Sequence, residues 1–233
     1  MTRADLFAWG TLVISVLGLI GALYSGSIAL AILSIILLIT ILIIVSTYTI
    51  SRNLPPWTVM KNNSELIFEG EKGERAVVTK NLDLRANHGA IKHYIHRNIS
   101  TDGNVKFSVD PNVKIINKER EAGDYVVTVE FPNHISRLRT ANTWIKFHLE
   151  NSFPADRESI TINIDQPTRN LTVRVVFPKD RLPKTGTIKM IHRQSGSEKE
   201  VASLNLDDHS VAWFIKRRLF GIPNGEYVLF WQW

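Results

Sequence analysis

The sequence predicts an N-terminal two-helix transmembrane hairpin followed by an all-β domain, either an antiparallel sandwich or a barrel. The first observation behind this is a pair of long apolar runs without charged residues, Leu6–Tyr24 and Ile28–Ile50. The second is a repeated alternation of apolar and polar residues after residue 60, punctuated by Gly, Pro, Asn and Asp. The predicted organisation is a hairpin over residues 1–51, a juxtamembrane linker over 52–60 and a β-rich domain over 61–233.

The two apolar runs predict membrane-spanning helices because of their length. A hydrocarbon core about 30 Å thick needs roughly 20 apolar residues in a helix. Between the runs, Ser25-Gly26-Ser27 leaves room only for a tight turn. A cleaved signal peptide followed by one helix is the alternative. It is disfavoured because the first run exceeds the usual 7–15 or so apolar residues of a signal peptide, and because Asp5 offsets Arg3.

The flanking charges predict the orientation of the hairpin. Arg3 precedes the first run, Arg52 and Lys61 follow the second, and the turn between them is uncharged. The positive-inside rule then places both ends in the cytoplasm of a multi-pass protein of the bacterial inner membrane. The absence of cysteine fits a cytoplasmic domain, since many exported domains rely on disulfides. An adhesion domain outside the cell is the alternative.

Small residues in the first run recur at spacings of four, three, four and three. They are Thr11, Ser15, Gly18, Ala22 and Ser25. A seam of this kind lets helices approach closely in a membrane. It could pack against the second helix, mediate oligomers or line a pore. Neither run contains an ionisable residue, which argues against a transporter or proton relay.

The segment after the second run predicts a stiff linker. Two prolines in Leu54-Pro55-Pro56-Trp57 prevent continuation of a helix. Trp57 suits a membrane–water interface, where aromatic rings gather.

The remaining residues predict strands at roughly ten-residue spacing. The last two predicted strands are expected to pair through a turn around Gly221–Gly225, and the apolar final strand is expected to lie in a core. The predicted strands are Ala76–Leu84, Ile91–Ile99, Val105–Val109, Val113–Ile116, Tyr125–Phe131, Trp144–Leu149, Ile160–Ile164, Leu171–Phe177, Thr187–His192, Val201–Leu206, Val211–Ile215 and Tyr227–Trp233.

The charge balance bears on the class of partner. The net charge is +6, and all of it belongs to residues after 51, since Arg3 and Asp5 cancel. A basic domain has two ready partners, anionic lipid headgroups and phosphate-bearing ligands. The simpler interpretation is that the charge only keeps the domain soluble.

Sequence signatures of catalysis are missing. The chain has no Walker loop, no G-x-G-x-x-G, no G-x-S-x-G, no H-E-x-x-H and no cysteine nucleophile. His88, His93 and His96 are closely spaced, but the adjacent Lys92 and Arg97 would repel a metal cation. The sequence therefore predicts a protein that is not an enzyme and that has neither a metal nor a cofactor.

Clusters of basic residues are the predicted ligand site, because Arg and Lys bind phosphate through charge-assisted hydrogen bonds. Ordinary solvated strand faces are the alternative interpretation, and the pair at 217–218 would equally suit lipid headgroups. The predicted ligand-binding residues are Lys92, His93, His96, Arg97, Arg137, Arg139, Arg169, Arg217 and Arg218.

The hairpin Leu6–Ile50, followed by a β-rich domain that ends in Tyr227–Trp233, resembles the two-transmembrane β-strand-rich (2TM-β) effectors of bacterial anti-phage defence. The resemblance is one of architecture, and no ligand residue of that family maps onto a position here. It implies that the β-domain binds a cyclic oligonucleotide and that the helices then cluster and disrupt the membrane.

The sequence thus predicts a membrane-anchored, non-enzymatic effector that senses a phosphate-rich ligand, a nucleotide or nucleic acid, or a partner protein. Sensing would control oligomerisation of the hairpins and make the inner membrane leak. The expected partners are membrane lipid, further copies of the chain, a nucleotide or oligonucleotide, and a protein. The alternative function is a tethered β-sandwich scaffold that recruits a partner protein, with the helices acting only as an anchor.

Overall fold

The chain forms two compact units, Met1–Leu54 and Pro55–Trp233. The computed structural model describes residues 16–18, 20–21, 24, 26, 28–53, 55–70, 74–99, 104–121, 124–216 and 221–233. Within this part of the chain, no helix has both the length and the apolar character that a membrane crossing requires.

The N-terminal unit contains helix α1, Ile28–Asn53, which is 26 residues long. It begins just after Gly26, whose φ of +66° suits a turn. Several apolar side chains on it are exposed, among them Ile32, Leu33 and Ile43.

The predicted transmembrane hairpin is therefore wrong, and so are the fold class built on it and the multi-pass placement in the bacterial inner membrane.

Most of the predicted seam of small residues lies outside the described residues, namely Thr11, Ser15, Ala22 and Ser25. Gly18 is described. A Cβ placed on it would lie 3.6 Å from Oγ of Ser34, an ordinary van der Waals distance.

The second unit is built from strands. In chain order they are β1 Trp57–Glu69, β2 Arg75–Ala86, β3 Ile91–Ile99, β4 Asn104–Val109, β5 Lys114–Glu121, β6 Asp124–Ile135, β7 Thr140–Glu150, β8 Arg157–Ile164, β9 Asn170–Val176, β10 Lys189–Gln194, β11 Ser197–Ser203, β12 Ser210–Lys216 and β13 Gly225–Gln232.

These strands form three sheets. The six-stranded sheet has the order β12-β9-β1-β2-β7-β4, the four-stranded sheet β11-β10-β13-β8 and the three-stranded sheet β3-β6-β5. β1 and β9 run parallel, with Asn62 opposite Leu171. The expected pairing of the last two strands is wrong, because β12 pairs with β9 while β13 lies between β10 and β8.

Aromatic contacts show how the sheets are layered. Phe68 of β1 contacts Trp231 of β13, with ring centroids 6.0 Å apart. Trp57 of β1 contacts Tyr94 of β3 at 6.4 Å and Phe131 of β6 at 5.8 Å. All five belong to one buried core. The six-stranded sheet therefore forms one layer of a sandwich-like unit, and the two smaller sheets pack against it.

Trp57 does not have the environment expected from the sequence. It is 2% exposed and begins the central strand β1, so residues 57–60 are strand and not linker. Its ring packs against Tyr94 and Phe131 in the core instead of lying at a membrane–water interface.

Candidate functional site

Two of the predicted basic residues, Lys92 and His93, are paired with an acidic residue on a strand face. The Lys92 ammonium lies 2.8 Å from the Glu130 carboxylate, and His93 Nε2 lies 3.6 Å from it. The hydrogen bond from Lys92 lowers the pKa of Glu130. These contacts fit a solvated strand face. The neighbouring Arg97 is exposed.

Other cations outside the predicted set are paired in the same way. Arg174 lies 3.0 Å from Glu65 on the neighbouring strand, and Lys189 lies 2.8 Å from Glu200. Each of these cations is neutralised by an acidic partner on a neighbouring strand, so it offers little free charge to a ligand.

Within the described part of the chain, five cations without ion pairs gather where five neighbouring strands of the six-stranded sheet begin or end. Lys216 closes β12 opposite Asn170, the first residue of β9. Arg169 precedes β9, and its main-chain N–H donates to the carbonyl of Val59 in β1 at 2.9 Å.

The same end continues through β2 and β7. Arg85 near the end of β2 lies opposite Thr58 of β1 and opposite Thr140, the first residue of β7. The turn before β7 carries Arg137 and Arg139, both exposed. We call the set Arg85, Arg137, Arg139, Arg169 and Lys216 the basic end.

The basic end differs from the strand faces in its lack of counter-charges. Among the described residues, none of its five members takes part in an ion pair. Nε of Arg85 is buried without a hydrogen-bond partner. The basic end extends from β12 to β7 across four strand spacings, a row of cations roughly 19 Å long at about 4.8 Å per spacing. Arg217 and Arg218, also predicted for the site, lie outside the described residues.

A second polar group lies inside the sandwich. On β2, Val78, Leu82 and Leu84 belong to or pack against the core. Lys80 shares their face, because alternate residues of a strand point the same way. Ser64 of β1 lies directly opposite Lys80, and Ser64 is 4% exposed.

The three-stranded sheet contributes two aromatic polar side chains to the same interior. Tyr94 and His96 of β3 are 6% and 1% exposed, and their ring centroids lie 4.9 Å apart. Neither ring nitrogen of His96 has a hydrogen-bond partner. Buried polar atoms are nearly always partnered, so this histidine is an exception that calls for an explanation.

Thr143 of β7 completes the group. It is 2% exposed, and its Oγ1 has no hydrogen-bond partner. It lies opposite Leu82, one diagonal step from Lys80 on the same face of the sheet. We call Lys80, Tyr94, His96 and Thr143 the interior cluster.

The electrostatics show that members of the interior cluster act on one another. Burial lowers the pKa of Lys80, and the negative charge of Asp165 opposes this change. Burial, followed by the charge of Lys80, lowers the pKa of His96 to about 3. Burial and then Asp165 raise the pKa of Tyr94 above its ordinary range. The imidazole is therefore neutral near pH 7.

The sequence identified only His96 of this cluster, as one of the basic residues predicted to bind a ligand. Lys80 carries a signal that could have been used, because it interrupts an apolar alternation through Ala76, Val78, Leu82 and Leu84. Thr143 carries no such signal, since threonine is common on any strand.

An open cleft of about 470 Å³ lies at the β10–β11 turn. Arg193 and Glu198 line this cleft and form a salt bridge with each other. The cleft therefore offers no free charge for a ligand from this pair. No group of three or more His, Asp or Glu side chains suited to a metal occurs among the described residues.

Neither a protein-family model nor a curated protein matches the chain. Solved structures resemble it at low identity. An M1 zinc metallopeptidase from Deinococcus radiodurans is 9% identical over 67% of this chain and 42% of its own, with a TM-score of 0.34. A putative protease from Parabacteroides distasonis is 6% identical over 77% of this chain and 41% of its own, with a TM-score of 0.48. The chain thus spans about two fifths of their length, and likeness at this level assigns neither an activity nor a metal.

Proposed function

We propose that the Pro55–Trp233 unit is a binding module for a phosphate-rich ligand, a nucleotide or a short nucleic acid, which it holds at the basic end. The observation that supports this is the gathering of five cations, without ion pairs to any described residue, along one end of a sheet in which Lys61, Lys106 and Arg174 are each paired with an acidic residue. Three of the five are exposed or half-buried arginines that the sequence singled out, Arg137, Arg139 and Arg169.

The dimensions favour an extended ligand. A nucleic-acid strand carries one phosphate per roughly 3.4 Å of helix axis, so the row of roughly 19 Å could face about five phosphates. A single nucleotide would engage only two neighbouring cations. Arginine suits this role because its planar guanidinium donates two parallel hydrogen bonds to a phosphate. The module would bind and not catalyse.

The resemblance to 2TM-β effectors suggests a cyclic oligonucleotide as one such ligand. We do not retain the clustering of transmembrane hairpins from that mechanism, because the predicted hairpin is wrong. Lipid and further copies of the chain stay predictions as partners.

Titration of a fluorescently labelled 12-nucleotide single strand tests the proposal by anisotropy. If four cations contact phosphates, the affinity should fall roughly 50-fold between 50 and 200 mM salt, since the logarithmic slope is about −0.7 per contact. The triple variant Arg137→Glu/Arg139→Glu/Arg169→Glu should lose binding at both salt concentrations. Unlabelled ATP and a cyclic dinucleotide, added as competitors, distinguish the ligand classes.

The matched control is Lys114→Glu/Arg157→Glu/Lys199→Glu, which changes the net charge equally at exposed positions on three other strands. It should keep most of the affinity. Equal losses in both triple variants would show that binding follows net charge and would contradict a site at the basic end.

One observation favours the alternative of a protein partner. Phe214 lies on β12, an edge strand of the six-stranded sheet, and is 75% exposed. An edge strand with an exposed aromatic ring can accept a strand from another protein. This alternative would be supported if the triple Arg variant still bound a protein partner and Phe214→Lys no longer did.

A further inference from the structure

We propose that the interior cluster is a binding site for one small oxyanion, a carboxylate or phosphate group, held by Lys80 with hydrogen bonds from His96 and Thr143. This site lies inside the sandwich and does not depend on the function proposed for the basic end.

Lys80 brings to the interior cluster an amine that has no acidic partner in the described part of the chain. It lies on the apolar face of β2, with Ile145 opposite it on β7. Among the described residues it forms no ion pair. A charge held beside an apolar core without a partner is costly, so native proteins pair such charges or neutralise them. Asp165 acts on Lys80 only from a distance and is itself exposed.

Polar atoms without partners among the described residues belong to the same cluster. Both ring nitrogens of His96 and Oγ1 of Thr143 are buried without partners. One of the two nitrogens of a neutral imidazole carries a proton and can donate a hydrogen bond. An oxyanion has several lone pairs, so it could accept from the ammonium, the hydroxyl and the ring N–H together, and the hydroxyl of Tyr94 is a fourth candidate donor.

Lys80 gives a small solute access to the interior cluster. Lys80 is half-buried, so water reaches part of its side chain and a small solute can follow the same route. The neighbouring apolar side chains of Leu82 and Ile145 are 2% and 0% exposed, so a ligand held beside them would have to be small. A water molecule could satisfy the hydroxyl and the ring, but only an anion would also supply the opposite charge that the protonated form of Lys80 requires.

Asp165 gives the proposal a distinctive consequence. Its negative charge reaches both Lys80 and Tyr94. It therefore repels an incoming anion, and Asp165→Asn should strengthen anion binding several-fold. A site occupied by water would show no such gain, because water carries no charge.

The test is the thermal unfolding midpoint of the full-length chain, titrated separately with sodium acetate and with inorganic phosphate. Ionic strength is held constant with a bulky sulfonate buffer. The wild type should show a saturable rise of the midpoint with at least one of the two anions, and the effective anion identifies the group. Lys80→Met should lose the rise. Lys106→Met, at a lysine whose side chain is 78% exposed, should keep it.

Thr143→Val provides a second variant in case Lys80→Met does not fold. Removing one hydrogen bond to a charged group should raise the half-saturating anion concentration roughly tenfold. No saturable rise in the wild type, or the same rise in Lys80→Met as in the wild type, would overturn the proposal. The proposal would also be overturned if the half-saturating anion concentration were unchanged in both Asp165→Asn and Thr143→Val.

Discussion

The indole Nε1 of Trp57 donates a hydrogen bond to the main-chain carbonyl oxygen of His93, 2.9 Å away. Trp57 begins the central strand of the six-stranded sheet, and His93 lies in the three-stranded sheet on the other layer. One side chain therefore fixes the position of one sheet on the other, by a directional bond and by the ring contacts with Tyr94 and Phe131.

Replacing Trp57 with Phe should destabilise the unit by about 2 kcal/mol. The change removes the hydrogen bond and leaves a small cavity in a fully packed core. Urea unfolding followed by circular dichroism measures the loss. Trp144→Phe, at a half-buried tryptophan, is the matched control and should cost less than about 1 kcal/mol. Equal costs at the two positions would contradict the special role of Trp57.

His96 should make the unit sensitive to acid. Its pKa is about 3 in the folded chain against an ordinary 6.5, so below pH 6.5 the unfolded state binds a proton that the folded state does not. Stability should therefore be lost as the pH falls from about 6.5 towards 3, with a contribution of up to about 1.4 kcal/mol per pH unit. Denaturant unfolding at a series of pH values measures this slope.

The variant His96→Phe should flatten that slope, because it keeps a ring of similar size and removes the titrating group. His134→Phe alters an exposed histidine and leaves His96 in place, so it should keep the slope. If His96→Phe and the wild type lose stability in parallel below pH 6.5, the acid sensitivity has another origin.

Phe214→Lys should leave the stability within about 0.5 kcal/mol and reduce self-association at high concentration. The ring is 75% exposed, so its removal costs little core contact. A lysine on an edge strand opposes pairing with another strand. Sedimentation velocity over a concentration series measures the association. Val211→Lys, on the same strand but 3% exposed, should instead unfold the unit.

Gly225→Ala should destabilise the unit by about 2 kcal/mol or more. Gly225 has φ +132°, and a Cβ there would run into the carbonyl oxygen of Arg193 and lie 2.8 Å from Nε2 of His192. Both the backbone conformation and the contact oppose a side chain. Gly89→Ala is the control, since a Cβ at Gly89 meets no atom within 4 Å, and it should be nearly neutral. Thermal unfolding of the two variants provides the comparison.

The alternation of residue types predicted most of the strands, because one face of each packs on the core. In β6, Val127, Val129 and Phe131 are buried as their spacing indicated. In β3, the predicted bounds Ile91–Ile99 are those observed. Period-two patterning is informative in such strands since burial alternates with the backbone.

The sequence missed β1, the central strand, for a physical reason. Its middle carries Asn62 and Ser64 on the core face, 3% and 4% exposed, where apolar residues were expected. The Ser64 hydroxyl donates to the Asn62 side-chain oxygen at 3.0 Å, so the two satisfy each other locally. Side-chain pairing of this kind leaves no trace in a pattern of apolar and polar residues.

The candidate site was predictable in part. Arg137, Arg139 and Arg169 were recognisable as basic, but only the register of β9, β1 and β2 brings them to one end of a sheet. The pairing that neutralises Lys92 is equally a product of register, because Glu130 belongs to another strand. Strand order depends on long-range contacts that local patterns do not encode.

The parallel pairing of β1 with β9 has a consequence for biosynthesis. Glu65 and Arg174, which meet across these strands, are 109 residues apart in the chain. At about 5–20 residues per second, a ribosome takes roughly 5–20 s to make the second strand after the first. Throughout that interval the emerging β1 has a hydrogen-bonding edge without its neighbour, so the nascent chain should be a client for chaperones that shield unpaired strands.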